Sequence, residues 1–181
     1  MKKLTGIILF FGIITNIFAQ NASVEKSVTS IQTGVLGIWV NNESRLTNRL
    51  ALRSEAGLAT VAEDIIYILT PSLSVEPRYY YNIDSRQAMN KPTEHNCGNF
   101  WALNVRYFPD WKVFGALEKS TIMDQINIIP KWGIRRPLGQ HFNYEAGLGL
   151  GVKHIFRKKY GYSEDKNDAA IDIHLRVGYT F

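Results

Sequence analysis

The sequence predicts an all-β protein: a single eight-stranded antiparallel up-and-down transmembrane β-barrel that follows a cleaved signal peptide. Three observations predict this fold class. A short apolar segment follows two lysines at the N-terminus, later segments alternate between apolar and polar residues, and aromatic residues gather near the ends of those segments. The chain of 181 residues is long enough for one such domain.

The N-terminal segment has the parts of a secretory signal peptide. Lys2 and Lys3 precede an almost wholly apolar run over residues 4–18, and Ala19 offers a small residue at the cleavage point. The run is shorter than the roughly 20 residues that a membrane-spanning helix requires. We therefore expect residues 1–19 to be removed and residues 20–181 to form the barrel.

The last segment shows the clearest alternation, because every second residue from Ile171 to Phe181 is apolar. The same period predicts further strands around residues 50–58, 69–79, 101–107, 126–135 and 142–153. Residues 30–40 alternate less cleanly and are predicted as the first strand, and a short strand at 111–117 completes the eight. After the signal peptide the sequence offers no apolar run long enough for a spanning helix, so a membrane location requires a closed barrel.

Alternation alone does not say which face is inside. A soluble barrel of the lipocalin type places its apolar face inside, whereas a membrane barrel places it outside. Gly147, Gly149 and Gly151 share the polar face of one strand. Glycine weakens a strand that faces solvent but relieves crowding inside a narrow barrel. This favours a polar interior and leaves a lipocalin-like periplasmic binding barrel as an alternative.

The aromatic residues fall into two groups if the first strand runs outward from the periplasm, as two membrane interfaces require. The predicted periplasmic group is Tyr107, Trp111, Trp132, Phe142, Tyr144, Tyr179 and Phe181. The predicted outer group is Trp39, Tyr79, Tyr81, Trp101 and Phe156. The same direction of counting predicts long outer loops at 83–98 and 157–168, and short periplasmic turns near 109–110 and 137–140.

These features resemble those of small outer-membrane barrels of the OmpX and OmpA transmembrane-domain type. The resemblance rests on the signal peptide, the alternating strands and the terminal run Arg176-Val177-Gly178-Tyr179-Thr180-Phe181. It implies a location in the outer membrane of a Gram-negative bacterium, and it implies that Tyr179 and Phe181 form the signal read by the barrel assembly machinery. The run from Ser74 to Asn82 also resembles uncharacterised barrels of Bacteroidetes-type bacteria.

The polar faces of the predicted strands carry many ionisable residues, which the topology places inside the barrel. They are Arg53, Glu55, Glu76, Arg78, Arg106, Lys131, Arg135, Glu145, Lys153, Asp172, His174 and Arg176. Side chains fill a barrel of eight strands, and buried charges are tolerated when they are paired. We therefore expect a structural network of ion pairs. The alternative is a narrow channel for small solutes, in which an excess of base would favour anions.

The sequence shows no catalytic, cofactor-binding or metal-binding constellation. Glu94, His95 and Cys97 are metal-binding residue types, but their spacing matches no established site. A lipid deacylase of the outer membrane requires a serine nucleophile, a histidine and an acid near the outer leaflet. His154 has no serine two positions later, since the sequence reads His154-Ile155-Phe156. An outer-membrane lipid-modifying enzyme is therefore the third alternative.

We expect a non-enzymatic, monomeric outer-membrane barrel with a structural or surface-interaction role. The expected partners are outer-membrane lipids, lipopolysaccharide at the two long loops, and the barrel assembly machinery. The formal net charge of +5 comes without a basic block, so it does not indicate binding of nucleic acid. Cys97 is the only cysteine and cannot form a disulfide within the chain.

Overall fold

The computed structural model describes residues 22–63, 66–111, 114–115 and 123–181 of the chain. The predicted signal peptide lies outside these ranges. Within them, nine strands form one sheet: β1 (Ser27–Gly34), β2 (Gly37–Arg45), β3 (Leu50–Glu63), β4 (Ile66–Tyr80), β5 (Asn99–Phe108), β6 (Phe114–Gly115), β7 (Gln125–Leu138), β8 (Phe142–Ile155) and β9 (Lys166–Thr180).

Eight of these strands close a barrel. Each strand pairs antiparallel with the next along the chain, apart from the short β6, and β9 pairs with β1. β6 adds two residue pairs to the start of β4. The predicted closed, antiparallel, up-and-down barrel of eight strands is therefore confirmed. Closure gives the strands partners on both sides over most of their length, which an open sheet cannot do.

The strands are strongly staggered around the barrel. A path at right angles to the strands leaves β9 at Asp168 and returns to β9 at Thr180, twelve residues further along. On its way it crosses Lys153, Asn127, Arg106, Ser74, Glu55, Asn41 and Ser30. Every residue on this path is polar, because directly paired residues on neighbouring strands point to the same face. A large stagger tilts the strands and widens the interior.

The interior of the barrel is polar and its outer surface is apolar. Arg53, Arg78 and Glu145 are almost fully buried, whereas Ile171 and Ile173 on the outer face are about two-thirds exposed. This confirms the predicted direction of the alternating faces. Gly147 also fits the prediction, since a Cβ atom at this position would lie 2.3 Å from Cε1 of His174 inside the barrel.

The predicted first strand, residues 30–40, is wrong. This segment contains the end of β1, a two-residue turn at Val35 and Leu36, and the start of β2. Gly37 makes the turn possible, because its φ of 149° is unfavourable for other residues and a Cβ atom there would lie 2.0 Å from the carbonyl oxygen of Leu58. The sequence hides this turn because Val and Leu are not the residues that normally mark one.

The predicted short strand at 111–117 is also not a strand of the barrel wall. Only Phe114–Gly115 is a strand there, and residues 112–113 and 116–117 lie outside the described ranges. The predicted total of eight is nevertheless right, because the β1–β2 hairpin supplies one strand more than the sequence indicated.

The additional strand at the start changes which connections share an end of the barrel. We call the end where β1 begins and β9 ends the terminal end. It holds the connections 46–49, 81–98 and 139–141, while the opposite end holds 35–36, the described residues 109–111 and 123–124, and 156–165. The prediction that 83–98 and 157–168 lie at the same end is therefore wrong. The prediction that the turns near 109–110 and 137–140 share an end is wrong for the same reason.

The aromatic residues are regrouped in the same way. The terminal end carries Tyr79, Tyr81, Trp101, Trp132, Phe142, Tyr144, Tyr179 and Phe181, and the opposite end carries Tyr107, Trp111 and Phe156. Two groups remain, but Tyr79, Tyr81, Trp101, Tyr107 and Trp111 lie opposite to their predicted positions. Trp39 belongs to neither group, because it is buried inside with its ring 3.8 Å from Cζ of Arg176.

The helical elements are short. Helix α1 (Ile83–Ala88) and a 3₁₀ turn at Glu94–Asn96 lie in the connection between β4 and β5, and a second 3₁₀ turn spans Lys158–Tyr160. In the ranges that the structure describes, no helix has the length and apolar character needed to cross a membrane.

Closure between β1 and β9 can be tested by a disulfide. Thr33 and Val177 are directly paired across these strands, and paired residues bring their Cβ atoms to about 4.5–5.5 Å, near the separation a disulfide needs. In a Cys97→Ser background, the pair Thr33→Cys and Val177→Cys should crosslink on oxidation and change the mobility of the denatured chain on a gel.

The control pair is Thr33→Cys with Ile171→Cys, which places the second cysteine on the same face of β9 but six residues from Val177. It should remain reduced. Equal crosslinking of both pairs, or of neither, would contradict the register of β1 and β9.

Candidate functional site

Two buried glutamates lie inside the barrel towards its terminal end, Glu43 on β2 and Glu145 on β8. Glu145 accepts hydrogen bonds from Arg78 at 2.7 and 2.8 Å, from Arg135 at 2.8 and 3.0 Å, and from Arg53 at 3.3 Å. Glu43 accepts one from Arg78 at 3.2 Å and another from Arg135. All five side chains are at most 2% exposed. The cluster therefore joins five strands across the lumen.

A second carboxylate group lies beside this cluster. Glu76 accepts hydrogen bonds from Nε of Arg78 at 2.6 Å and Nδ2 of Asn104 at 2.6 Å, and its Oε2 lies 2.8 Å from Nζ of Lys131. Asp172 lies 3.6 Å from Lys131 and 3.1 Å from Nδ1 of His174. Every described carboxylate of this group thus has a positive or hydrogen-bonding partner, as buried charge requires.

Glu55 forms ion pairs with three arginines. It lies 2.5 Å from Nη2 of Arg53, 3.2 Å from Nη2 of Arg106 and 2.7 Å from Nη1 of Arg176. Three guanidinium groups therefore share the negative charge of one carboxylate. They lie on the side of the network that faces the opposite end of the barrel. Lys153, on the same side, is half-buried and forms no ion pair within the described ranges.

The terminal end is covered by a cap, which we define as residues 22–26 together with the connection 81–98. Its backbone is left-handed at His95 and Asn96. The carbonyl of His95 accepts a hydrogen bond from Arg135 at 3.0 Å, and Asn96 donates to Glu43 at 2.9 Å. Glu25 joins the two parts of the cap, since it accepts from the His95 amide at 2.6 Å. The cap therefore binds directly to the charge network and closes this end.

The structure places the predicted interior residues on the inner face of the barrel. Arg53, Glu55, Glu76, Arg78, Lys131, Arg135, Glu145, His174 and Arg176 are buried, and Arg106, Lys153 and Asp172 are partly buried. Sequence reasoning missed Glu43, because the misplaced first strand ended at residue 40. It also missed Tyr80, whose hydroxyl donates to Glu43 at 2.8 Å.

A cavity of about 470 Å³ lies between the network and the opposite end. Charged and polar side chains line its inner part, among them Arg106, Lys153 and Asp172. Apolar residues of β9 and the β1–β2 turn line its outer part, among them Ile171 and Val35. The cavity is thus amphipathic, and the predicted interior residues Arg106, Lys153, Asp172, His174 and Arg176 are among those that line it.

The residues considered in the sequence as metal ligands or catalytic groups do not form a common site in the described ranges. Cys97 is fully buried in the cap, whereas Glu94 is exposed and Nε2 of His95 contacts the carbonyl of Gln140 at 3.1 Å. In the described ranges, no three His, Cys, Asp or Glu side chains are grouped as metal ligands would be. His154 pairs its Nδ1 with Asn167 at 2.7 Å on the outer surface.

Comparisons with known proteins identify no family for this chain. No protein-family model matches the chain, and no match was found among curated proteins or among solved structures. The account of function therefore depends on the geometry of the barrel.

The network should dominate the stability of the barrel. In Glu145→Gln, three arginines lose their shared negative partner, and the free energy of unfolding should fall by about 3–5 kcal/mol in chemical denaturation. Asp168→Asn is the matched control, because its ion pair with Lys166 is partly exposed and worth at most about 1 kcal/mol. Equal losses in the two variants would show that the network does not hold the barrel together.

The cap should protect Cys97 from reagents. Burial raises the pKa of its thiol from 9.0 to about 11. At pH 8, which is below both values, the reactive thiolate is therefore about a hundredfold rarer in the folded chain. Disulfide-exchange reagents should label folded protein at least a hundredfold more slowly than unfolded protein. Lys91→Cys in a Cys97→Ser background places a thiol at an exposed cap position as control, and equally fast labelling of folded Cys97 would rule out a closed cap.

Proposed function

We propose that this chain is an integral barrel of the bacterial outer membrane, closed by an internal charge network, with a structural or surface-interaction role and no catalytic one. The observation that carries the proposal is the distribution of charge. Ionised side chains fill the interior, and aliphatic side chains cover the outside of the wall. A soluble barrel requires the reverse arrangement, so the lipocalin-like alternative does not fit this structure.

The outer surface is well suited to lipid. Ile171, Ile173 and Leu175 on β9 adjoin Leu148 and Leu150 on β8, and all five are more than half exposed. Soluble monomers rarely expose contiguous apolar patches larger than a few hundred Å². In a bilayer the same belt faces hydrocarbon, and each fully transferred aliphatic side chain gains about 1.5–3 kcal/mol.

The aromatic groups support the same placement. On β8 and just beyond it, Tyr144 and Phe156 lie twelve residues apart. At about 3.3 Å per residue and a tilt of 35–45°, this separation is about 30 Å along the barrel axis, which matches a hydrocarbon core with an interface at each end. The terminal end, with Tyr179 and Phe181, is proposed to face the periplasm, as a C-terminal aromatic signal for barrel assembly requires.

The opposite end then faces the exterior and offers the surface for interaction. Lys159 lies 3.3 Å from Asp110, and the hydroxyl of Tyr160 donates to the same carboxylate at 2.9 Å, so Asp110 is bound to the connection 156–165. Lys158 and Lys166 remain exposed beside them. Such lysines favour contact with lipopolysaccharide phosphates, which supports a surface role.

A channel fits the interior less well. Ion transport requires a continuous path, yet Arg78 and Arg135 bridge Glu43 and Glu145 across the lumen, and the cap covers the end behind them. Opening such a path would separate buried ion pairs, which costs about 3–5 kcal/mol for each broken partner. The lipid-modifying alternative gains no support either, because His154 bonds an asparagine rather than an acid.

Arginine substitution on the outer face tests the membrane location. Leu148 and Leu138 are similarly exposed, but Leu148 lies within the apolar belt, beside Ile173, and Leu138 lies at the terminal end beside Phe142. In phospholipid vesicles, Leu148→Arg should lower the free energy of unfolding by about 2–4 kcal/mol and Leu138→Arg by about 0–1 kcal/mol. If both changes were neutral, as on a water-exposed surface, the membrane location would be rejected.

A further inference from the structure

The wall of the barrel has a notch, which we define as the gap between β3 and β9 beyond the Val35–Leu36 turn. β1 ends at Gly34, opposite Arg176, so residues 166–175 of β9 pair with β8 alone among the described strands. On the other side, Gly37 pairs with Ala59, and β3 continues to Glu63. The β1–β2 hairpin is therefore shorter than both of its neighbours.

The cavity inside the barrel opens through this notch. Its lining contains residues from both faces of β9: the inward Asp172 and His174, and the outward Ile171 and Ile173. A cavity enclosed by the wall would be lined by inward residues only. The Val35–Leu36 turn also contributes to the lining and forms the floor of the notch.

The floor of the notch lies at the depth of the hydrocarbon. Ile31 pairs with Tyr179 of the aromatic group, and Val35 follows four residues later. This places the turn about 10 Å beyond the aromatic group, inside an apolar band about 25 Å tall. Val35 is 89% exposed, and such a residue is unusual at a turn in water but suits one in lipid. The notch therefore opens towards acyl chains.

The inner part of the cavity contains buried donors without an acceptor, beside three acceptors without a donor in the described part of the chain, Asn104 Oδ1, Asn127 Oδ1 and Asp172 Oδ2. Trp39 Nε1, Arg106 Nε and Arg176 Nε are buried donors for which the described part of the chain provides no acceptor. All three side chains line the cavity, as does Lys153. Since Glu55 is shared by three arginines, this side of the network carries surplus positive charge. A carboxylate here would satisfy donors that otherwise remain unpaired.

We propose that the notch and cavity bind a single-chain amphiphile with a carboxylate head, a free fatty acid in chemical terms. The head contacts Arg106, Arg176 and Lys153, and the chain leaves through the notch over Ile171, Ile173 and Leu175. The volume of about 470 Å³ lies in the range of small-ligand sites. This inference rests on the proposed membrane location, which places the notch in lipid.

Trp39 offers a direct readout, because it lines the cavity. The test uses a variant in which Trp101→Phe, Trp111→Phe and Trp132→Phe leave Trp39 as the only tryptophan, reconstituted in phosphatidylcholine vesicles. The probe is 2-bromohexadecanoate, whose bromine quenches nearby tryptophan and lies beside the carboxylate. Quenching should saturate with the mole fraction of probe, and unbrominated hexadecanoate should reverse it. Linear quenching without reversal would contradict a site.

Two comparisons separate a site from general lipid contact. A variant that retains Trp101 alone reports the outer surface and should show linear quenching, since Trp101 faces lipid. The methyl ester of the probe lacks the charge and should not saturate at Trp39. Saturation by the ester with equal affinity would overturn the assignment of the anionic head.

Two substitutions test the proposed head contacts. Lys153→Gln and Arg106→Gln should each weaken saturable binding about tenfold or more. Lys158→Gln is the control, because this exposed lysine at the same end does not line the cavity. Arg106 also pairs with Glu55, so circular dichroism must show that this variant is folded. Lys153 forms no ion pair in the described ranges. Its replacement therefore tests the head contact without breaking an ion pair of the network. Unchanged binding in folded Lys153→Gln and Arg106→Gln would contradict the site.

The failure of this site and of the membrane location are distinguishable. If Leu148→Arg destabilises the protein in vesicles but quenching of Trp39 does not saturate, the barrel is in the membrane and the site is wrong. If Leu148→Arg and Leu138→Arg are both neutral, the membrane location is wrong. The notch would then not face lipid, and this inference would fail with the proposed function.

Discussion

The ion pairs of Glu43 and Glu145 with three arginines are the interaction on which the rest of the structure depends. Glu43 and Glu145 come from β2 and β8, and Arg53, Arg78 and Arg135 come from β3, β4 and β7. Desolvating these charges is costly, and only good geometry with further hydrogen bonds offsets the cost. The staggered register meets that demand, because it brings polar residues of all eight strands onto the same inner rings.

The alternation of strand residues places an outward side chain on each side of every inward charge. In this chain most of those outward side chains are aliphatic or aromatic, which is the pattern that the proposed membrane location requires. The short β1–β2 hairpin follows the same logic, since its turn of Val35 and Leu36 suits hydrocarbon and would be unfavourable in water. In the proposed membrane location, the notch beside it would open the amphipathic cavity to the bilayer.

Much of the barrel could be predicted from period-two alternation. The segments that form β3, β4, β5, β7, β8 and β9 were recognised, as was the direction of their faces, because side-chain parity survives errors of a few residues at strand ends. The β1–β2 hairpin was missed because its turn uses apolar residues in place of the usual polar ones. That single error displaced Tyr79, Trp101 and Tyr107 to the wrong ends and left Glu43 out of the network.

The cap and the cavity depend on contacts that no sequence period encodes. Asn96 reaches Glu43 across more than fifty residues of chain, and the backbone is left-handed at His95 and Asn96, which no periodic pattern in the sequence predicts. The cavity likewise arises from the difference in length between the β1–β2 hairpin and β9, which only the register reveals.

We expect this inside-out barrel to form only with lipid or detergent around it. The most direct measurement is electrophoresis of the chain refolded in detergent, with one sample boiled and one left unboiled, together with refolding in buffer without detergent. The account predicts a shift in mobility between the two samples and aggregation in the absence of detergent. A soluble, monomeric chain that refolds without detergent and shows no shift would contradict it.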